Sequence, residues 1–372
     1  MRFTFTQSSM EKGLLLVMGT ISTRVPMPSL SNLHLKLEGK VLEITATDLE
    51  VTTTAYIELL DSEGSGDVLV PAKRFQEIIR QLPDVPLEIT IPEPGKVFLR
   101  GDFKGEYKLP GGDPVDFPEL PPIDPKISFS FSGEDLKRMI SKTLFAVSRD
   151  EMRPVLNGLL FQVRPGELTV VATDGHKLSK IVKTGLDYND DPIDVIIPTK
   201  ALGILQKTLE FEDNPVITLA ETRASFKTDH QILITRLIEG YYPRFESVIP
   251  EDNPKRLRAN ASDFVSAIRR VHIFSSQLSH QVRLKIEADS VTIQSEDQEL
   301  GGEGSESVNI TFEGEEMEIA YNGSYLMDVL RQIGTEDVIF EMKGFEDAAI
   351  IKPTSQEENE DFLMLLMPIR LQ

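Results

Sequence analysis

The sequence predicts an α+β protein built from three similar domains, and three observations lead to this prediction. The chain has 372 residues, enough for two or three domains of about 100–200 residues each. Stretches that alternate apolar and polar residues, typical of half-buried antiparallel strands, are interrupted by segments with helical spacing of apolar residues. Finally, the same landmarks recur along the chain, which is the mark of an internal repeat.

The repeat is clearest at an aspartate near the end of an alternating stretch. VLEITATDLE carries Asp48, ELTVVATDGH carries Asp174 and SVTIQSEDQE carries Asp297, and these aspartates are 126 and 123 residues apart. A strand-to-helix segment keeps a similar step. Its three copies are VLVPAKRFQEIIRQL (68–82), VIIPTKALGILQKTL (195–209) and IAYNGSYLMDVLRQI (319–333).

Each repeat also opens with the signature of a helix N-terminus. A cap residue stands three positions before an acid, which offers acceptors to the unpaired N–H groups of the first turn. The three copies are SSME (8–11), SGED (132–135) and NASD (260–263). We expect the helices that follow to end near Ser22, Ser148 and Ser275.

Proline-rich stretches separate the repeats and set the expected domain boundaries. PELPPIDPK (118–126) and YYPRFESVIPEDNPK (241–255) read as linkers. We therefore expect domains at 1–122, 126–250 and 251–372. Each should pack two helices on antiparallel sheets, since NLHLKLEGKVLEITATDLEVTTTAYIEL alternates around a Gly-Lys turn.

Composition excludes several classes of protein. The chain has no cysteine, so disulfides and thiolate metal sites are excluded. The N-terminus lacks the apolar region of a signal peptide, and the run FLMLLMPI (362–369) is far shorter than the roughly 20 residues needed to span a bilayer. We expect a soluble, cytoplasmic protein without a cofactor. Its net charge of −21 argues at first sight against binding nucleic acid.

The stretch ATDGHKLS (172–179) resembles part of an active site, because an aspartate and a histidine flank a glycine. Catalysis would need a nucleophile or a metal partner nearby, and the chain has no HExxH, Walker A or GxSxG pattern. A Thr-Asp step at a strand end usually forms a turn in which the side chain accepts from the next backbone amides. We therefore interpret Asp174 as a turn residue. A hydrolase built on Asp174 and His176, and a scaffold that binds only proteins, remain the alternatives.

The charges are unevenly placed. Between Ile286 and Leu330 there are twelve acids and no lysine or arginine, whereas the predicted helices are neutral or basic. Solvated helix faces would explain any one helix. Repeated along the chain, the pattern indicates a basic helix layer that faces a polyanion and an acidic sheet surface that faces solvent.

Long segments of the sequence resemble one family over essentially the whole chain. They are MRFTF, STRVPMPSLSNLHL (22–35), ATDLE, VPAKRF, MRPVLNGLLFQ (152–162), VATDGHKLS, YYPRFESVIP (241–250), AYNGSYLMDVL (320–330) and MPIRL (367–371). The chain resembles the bacterial DNA polymerase sliding clamp, the beta subunit of the replicative polymerase. The resemblance implies a non-catalytic homodimer, closed head to tail around duplex DNA, with helices lining the bore. Six domains, each a sphere roughly 35 Å across, would leave a hole of roughly 35 Å, wider than a duplex of about 20 Å.

The family also implies partners and sites. The partners are duplex DNA, a second copy, the replicative polymerase, the clamp-loader ATPase, repair polymerases and mismatch-repair proteins, the proteins being bound through short linear motifs; no membrane and no metal are implied. Dispersed cations that do not pin the DNA are expected at Arg24, Lys73, Arg74, Arg80, Arg149 and Lys200. Asp150 stands where the family often has glutamine.

An apolar peptide pocket with a few polar rim groups is implied between the middle-domain turn and the C-terminal tail. Lys177 replaces the arginine common in the family, which keeps the charge but loses the guanidinium fork. Its residues are Leu156, Thr173, Gly175, His176, Lys177, Leu178, Pro243, Val248, Leu365, Met367, Pro368, Ile369, Arg370 and Leu371. The dimer seam is expected to join an apolar pair, Ile273 and Phe274, to Tyr107 and Leu109 of the second copy. Lys104 and Lys108 would pair with Glu296, Asp297 and Glu299.

Overall fold

The computed structural model describes residues 1–22, 27–93, 95–119, 123–297 and 301–370. Within these ranges the chain forms six α-helices and 25 strands. The order strand, helix, four strands, helix, three strands occurs three times, with one additional short strand in the first repeat. The predicted threefold repetition of α+β elements is therefore confirmed. None of the described helices is long and apolar enough to cross a membrane.

The elements are numbered along the chain. The helices are α1 (Gln7–Met18), α2 (Ala72–Gln81), α3 (Gly133–Thr143), α4 (Thr199–Thr208), α5 (Ala261–His272) and α6 (Gly323–Leu330). The strands of the first repeat are β1 (Arg2–Thr6), β2 (Asn32–Glu38), β3 (Val41–Thr47), β4 (Val51–Glu58), β5 (Asp61–Glu63), β6 (Gly66–Pro71), β7 (Pro86–Thr90), β8 (Lys96–Gly101) and β9 (Glu106–Pro110). Those of the second are β10 (Ile127–Ser130), β11 (Gly158–Arg164), β12 (Glu167–Thr173), β13 (Lys177–Thr184), β14 (Ile193–Pro198), β15 (Val216–Leu219), β16 (Arg223–Lys227) and β17 (Gln231–Arg236). Those of the third are β18 (Lys255–Asn260), β19 (Gln281–Ile286), β20 (Ser290–Asp297), β21 (Gly302–Glu313), β22 (Met317–Asn322), β23 (Asp337–Met342), β24 (Ala349–Pro353) and β25 (Glu360–Leu366).

The described strands form three sheets, and two of them run through more than one repeat. Their orders are β5-β1-β7-β8-β9, β10-β15-β16-β17-β4-β3-β2-β6 and β14-β11-β12-β13-β25-β24-β23-β18-β21-β20-β19-β22. The repeats join where β17 pairs antiparallel with β4 and where β25 pairs antiparallel with β13. The first and second repeats therefore each contribute strands to two sheets, whereas all the strands of the third repeat lie in one sheet.

This strand pairing explains how the chain divides into two compact units. One unit contains Met1–Arg138 and Ile197–Leu237, and the other contains Met139–Ile196 and Ile238–Gln372. The last strands of the middle repeat belong to the first unit because β17 extends the sheet of the first repeat. Its central strands belong to the second unit because β13 extends the sheet of the third repeat.

The core of the first repeat shows why its helices lie on the sheets. Phe3 of β1, Leu35 of β2, Leu14 of α1 and Phe75 of α2 are buried in one apolar cluster. Alternate positions of β2 are buried, so its predicted period-two pattern is confirmed. The Gly-Lys turn lies between β2 and β3, where Gly39 takes a φ of +61° that favours glycine.

The helix caps agree with the sequence in two of three repeats. Asn260 accepts a hydrogen bond from the Asp263 amide (3.1 Å) at α5, and Ser132 accepts from the Asp135 amide (3.3 Å) at α3. The prediction for the first helix was wrong by two residues. Its cap is Thr6, which accepts from the Ser9 amide at 3.1 Å, because β1 leads into α1 with no intervening loop.

The predicted helix ends lie a few residues too far along the chain. The α-helices end at Met18, Thr143 and His272, and a 3₁₀ turn over Leu144–Ala146 follows α3. Apolar spacing continues past the last α-helical hydrogen bond, so it does not mark the end of a helix closely.

Two glycines in helices of the first unit should respond oppositely to replacement by alanine. A Cβ at Gly133 would lie 2.6 Å from the Asp213 carbonyl oxygen and 2.9 Å from that of Glu210, whereas a Cβ at Gly203 would meet nothing within 4 Å. Gly133→Ala should lower the free energy of unfolding by about 1–3 kcal/mol through overpacking. Gly203→Ala should raise it by about 0.5–1 kcal/mol by restricting the unfolded chain. Urea unfolding followed by circular dichroism measures both, and a change of the same sign in the two variants would contradict the packing described here.

Candidate functional site

The Thr-Asp turn of the middle repeat is held by its own side chains. Asp174 accepts hydrogen bonds from the amides of His176 and Lys177, both at 2.9 Å. Thr173 donates its hydroxyl to the Lys177 carbonyl at 2.8 Å and accepts from the Gly175 amide at 3.1 Å. Gly175 has a φ of +93°, which glycine adopts without strain. The turn interpretation of Asp174 is therefore confirmed.

The first repeat builds the same turn from a different sequence. Asp48 accepts from the amides of Glu50 (3.0 Å) and Val51 (2.8 Å), and Thr47 accepts from the Leu49 amide (3.1 Å). Leu49 takes the position of Gly175 with a φ of +79°, a conformation that is costly for a residue with a branched side chain. The hydrogen bonds of threonine and aspartate are thus enough to hold the turn in both copies.

Lys177, which the resemblance places in the peptide pocket, is buried. Only 5% of the residue is exposed, and its ammonium lies 2.8 Å from the Asp174 carboxylate. The same ammonium lies over the ring of Tyr325, 4.1 Å from the ring centroid. The charge of Lys177 is therefore balanced inside the protein.

An aromatic pair lies beside this buried ion pair. The His176 ring stacks on Tyr325 with a centroid distance of 5.8 Å and an interplanar angle of 24°. Asn322 caps α6 by accepting from the Ser324 and Tyr325 amides, which places Tyr325 in the first turn of the helix. Sequence reasoning missed Tyr325. The Asn-Gly-Ser-Tyr start of a capped helix was its only signal.

The C-terminal tail is bound at two backbone positions. The Met367 amide donates to the His176 carbonyl at 2.9 Å, and the Ile369 amide donates to the Ala320 carbonyl at 2.7 Å. Leu178 lies opposite Leu365 in the pairing of β13 with β25. The tail is therefore placed next to the middle-repeat turn, as expected. Leu371 lies outside the described residues.

An apolar cluster lies beneath the turn and the tail. It contains Leu178, Leu365, Leu160, Phe245 and Ile350, with Tyr242 packed against it. The Thr173 amide donates to the Tyr242 hydroxyl at 3.0 Å. Burial raises the pKa of Tyr242 well above its ordinary range, so this phenol stays neutral.

The remaining pocket residues differ in exposure. Leu156 is buried, while Thr173, Pro368 and Ile369 are half-buried. The exposed members are Gly175, His176, Pro243, Val248, Met367 and Arg370. Val248 is 52% exposed and Met367 is 39% exposed, so both can be covered by a ligand. The structure thus brings together a buried apolar layer and an exposed rim.

The cations predicted to face DNA divide into unpaired and paired groups. Lys73 and Arg74 on α2, and Arg149 after α3, are exposed and have no ion-pair partner among the described residues. Arg80 lies 4.0 Å from Glu11. Arg24 lies outside the described residues.

Lys200, the last of the predicted cations, has internal partners. Its ammonium is paired with the Asp48 carboxylate and donates to the Thr20 carbonyl at 3.3 Å. A cation held by a carboxylate and a carbonyl contributes little to phosphate binding. Lys12 of α1 and Lys207 of α4 are also exposed and have no ion-pair partner within the described ranges.

The loop at Asp150 carries an internal ion pair. Asp150 accepts from the Met152 amide at 3.0 Å and from Arg153 Nε at 2.9 Å. The Met152 amide, and then the Arg153 guanidinium, hold the pKa of Asp150 below its usual value. The aspartate therefore stays ionised at neutral pH and places a negative charge beside Arg149.

The loop that follows α5 exposes an apolar surface. Ile273 is 76% exposed, Phe274 is 40% exposed and Leu278 is 88% exposed. A Cβ at Gly304 would lie 2.6 Å from the Phe274 ring, so glycine is needed for this ring to rest on β21. The predicted seam residues Ile273 and Phe274 are therefore accessible, and so is Leu278 of the same loop.

Two other seam predictions are contradicted by burial. Leu109 is 2% exposed and belongs to the core of its own repeat, while the other residues of β9 are exposed. Asp297 is 8% exposed, so its carboxylate is not at the surface. Tyr107, Lys104, Lys108 and Glu296 are exposed. Glu299 lies outside the described residues.

Comparison with known families matches three consecutive segments of the chain. They match the N-terminal, central and C-terminal domains of the DNA polymerase III beta subunit, over residues 1–121, 130–244 and 246–370. These ranges coincide closely with the three sequence repeats.

Individual relatives match along the whole chain. The beta sliding clamp of Pseudomonas aeruginosa is 32% identical over all of both chains, and that of Bacillus subtilis is 28% identical over all of both chains. A crystal structure of the DnaN sliding clamp from Pseudomonas aeruginosa, bound to griselimycin, superposes over all of both chains with a TM-score of 0.95 at 30% identity. The sliding clamp of Bacillus subtilis superposes over all of both chains with a TM-score of 0.91 at 27% identity.

The pH dependence of stability should report the environment of His272. Burial, and then the charge of His280, whose ring lies 5.4 Å away, lower the pKa of His272 below 6.5. The folded protein therefore binds fewer protons at His272 than the unfolded chain does. The stability contributed by neutral His272 is fully present above about pH 6.5 and is lost as pH falls through the folded pKa.

Urea unfolding measures the free energy of unfolding of the wild type and of His272→Gln at pH 7.5 and at pH 5.5. Other titrating groups are common to both proteins, so the variant should lose less stability on acidification. Equal losses would contradict the burial of a neutral imidazole.

Proposed function

The chain belongs to the DNA polymerase III beta subunit family, the beta sliding clamps, and from that premise we propose how its surfaces act. It is a non-catalytic processivity factor. Two copies encircle duplex DNA, slide along it and tether the replicative polymerase. The clamp-loader ATPase, repair polymerases and mismatch-repair proteins use the same peptide pocket, and the protein acts in the cytoplasm. Its domains are residues 1–122, 126–250 and 251–372.

The strand pairing supports a head-to-tail dimer. In the first two repeats, the strand after the Thr-Asp turn pairs with the last strand of the following repeat, β4 with β17 and β13 with β25. In the third repeat the corresponding strand is β21. Its first part pairs with β20 alone among the described strands, because β18 pairs only from Ile310 to Glu313. Among the described strands, β9, the last strand of the first repeat, pairs with β8 alone.

The same kind of pairing, between the strand after the turn and a last strand, completes the seam with a second copy. β9 of one copy extends β21 of the other, so that each open edge is covered. Exposed Ile273 and Phe274 meet Tyr107, and Lys104 and Lys108 meet Glu296. These exposed charge pairs orient the contact more than they strengthen it.

A few unpaired cations suit a protein that must slide. Each phosphate neutralised by a cation adds salt-sensitive affinity, and contacts to base edges would fix the register. Lys73, Arg74 and Arg149 provide exposed charge, while Arg80 and Lys200 have internal partners. Attraction is therefore weak, and retention comes from the closed ring.

The peptide pocket is supported by the exposed rim over the apolar cluster. Val248 and Met367 offer apolar surface around a floor that includes Leu178 and Leu365. A short peptide with an apolar anchor would bury this surface, and flexible Met367 can repack around different partners. Asp174 serves the turn and pairs with Lys177, which leaves the hydrolase alternative without a catalytic acid.

Reversing two cations of α2 should weaken the attraction to DNA. Lys73→Glu with Arg74→Glu should reduce the slope of log affinity against log salt by about two units, since two phosphate contacts are lost. The measurement is retention of the dimer on nicked circular DNA as salt increases. The matched control is Lys40→Glu with Lys227→Glu, which changes the charge equally at two exposed positions outside the helices, the turn between β2 and β3 and the end of β16.

Cutting the circular DNA distinguishes a clamp from a scaffold that binds only proteins. Wild-type protein should leave DNA when the circle is cut. Equal salt slopes in the two charge-reversal variants would contradict the DNA-facing role of α2.

Ile273→Arg should convert the dimer to a monomer. The substitution places a charge in the centre of an apolar contact, where it cannot be solvated. Light scattering coupled to gel filtration measures the mass. Val115→Arg is the matched control, since Val115 is 88% exposed in the first repeat. A dimeric Ile273→Arg protein would refute the proposed seam.

Deleting residues 367–372 should abolish binding of the polymerase's clamp-binding peptide and leave the mass of the dimer unchanged. The deletion begins immediately after β25 ends at Leu366, so the sheet is kept while exposed Met367 is removed. Fluorescence anisotropy of a labelled peptide measures affinity. Unchanged affinity would refute the pocket.

A further inference from the structure

We propose that Lys177 is a positioning residue, which holds Tyr325 in place as one wall of the peptide pocket and offers no charge to the peptide. This inference rests on the proposed pocket and deepens it. It concerns the specificity of the pocket. Beside Tyr325 the pocket recognises apolar side chains of the peptide and does not select a peptide carboxylate. The observation that carries it is the buried contact of one ammonium with both Asp174 and Tyr325.

Burial and pairing make Lys177 inaccessible to a ligand. The side chain is 6% exposed and that of Asp174 is 12% exposed, and their charged atoms lie 2.8 Å apart. Asp174 is itself fixed, because it also accepts from two backbone amides of the turn. Removing Lys177 from this site would leave a largely desolvated carboxylate without its cation, which is strongly unfavourable. The ammonium therefore stays where it is when a peptide binds.

The second contact of Lys177 acts on the aromatic wall. At 4.1 Å from the ring centroid, the ammonium is attracted to the electron-rich face of Tyr325, and the attraction is strengthened by desolvation. The backbone of Tyr325 is held by the Asn322 cap, so the cation restrains a ring whose base is already fixed.

This restraint extends to the tail. The ring of His176 stacks on Tyr325, and the carbonyl of His176 accepts from the Met367 amide at 2.9 Å. The ion pair, the aromatic pair and the tail thus form one connected set of contacts around the rim. Loss of the cation should loosen Tyr325 and His176 together, without removing any atom that touches the peptide.

The test uses two fluorescein-labelled synthetic probes, the clamp-binding peptide of the polymerase and the same peptide with each carboxylate side chain replaced by its amide. Lys177→Met should weaken both probes equally, by about ten-fold or more, the effect of losing a desolvated cation–π contact. The salt dependence of affinity should stay as in the wild type. Selective loss of the acidic probe, with a flatter salt dependence, would overturn the proposal, since it would mean that Lys177 meets a peptide carboxylate.

A spectroscopic readout isolates the positioning effect. The chain has five histidines, so a histidine-labelled NMR spectrum contains few ring signals. The His176 signal should be shifted by the Tyr325 ring, and this shift should shrink in Lys177→Met. An unchanged shift in Lys177→Met would overturn the proposal.

The conservative variants keep the test decisive if Lys177→Met unfolds. Tyr325→Phe retains the ring face and should keep both the His176 shift and the affinity, whereas Tyr325→Leu should lose both. The double variant Asp174→Asn with Lys177→Met removes both buried charges, and it should fold and still bind weakly. Binding of neither probe by wild-type protein would instead refute the pocket itself.

Discussion

Pairing between the strands of successive repeats is the constraint on which the rest of the structure depends. A strand edge exposes N–H and C=O groups that must be satisfied, and β4 and β13 are satisfied by the last strand of the next repeat. The same pairing sets the Thr-Asp turn beside the end of that last strand. In the second unit it places Gly175 and His176 next to the start of the tail at Met367. Sheet continuity and the candidate pocket therefore have one cause.

The first two copies of the turn show how a repeated scaffold acquires different surfaces. Threonine and aspartate form the same hydrogen bonds in the first two copies, so the backbone is conserved while the ends of the side chains change. In the first copy Asp48 binds Lys200 of α4, and in the second Asp174 binds Lys177 of its own turn. In the second copy glycine follows the aspartate, so the turn needs no strained residue where the first copy strains Leu49.

Features that depend on neighbouring residues could be predicted from the sequence, and those that depend on distant partners could not. The Asn260 cap and the Asp174 turn lie within three residues of their partners. The pairing of Lys200 with Asp48 joins residues 152 apart, and nothing local distinguishes Lys200 from unpaired Lys207. The burial of Leu109 follows from the register of an edge strand. Tyr325 acquires its importance only when α6 and the middle-repeat turn come together.

The distribution of ion pairs resolves the contradiction between a net charge of −21 and a role on DNA. With 60 acids to 39 lysines and arginines, a cation readily finds an internal carboxylate. Arg153, Lys177 and Lys200 each have such a partner. Among the described residues, Lys73 and Arg74 have no ion-pair partner and are exposed on a helix. A surface of this kind attracts phosphates weakly, which favours sliding, while the surrounding excess of acid repels DNA from binding elsewhere on the protein. The acidic composition therefore keeps the affinity for DNA low. The closed ring, rather than direct contacts, retains the duplex.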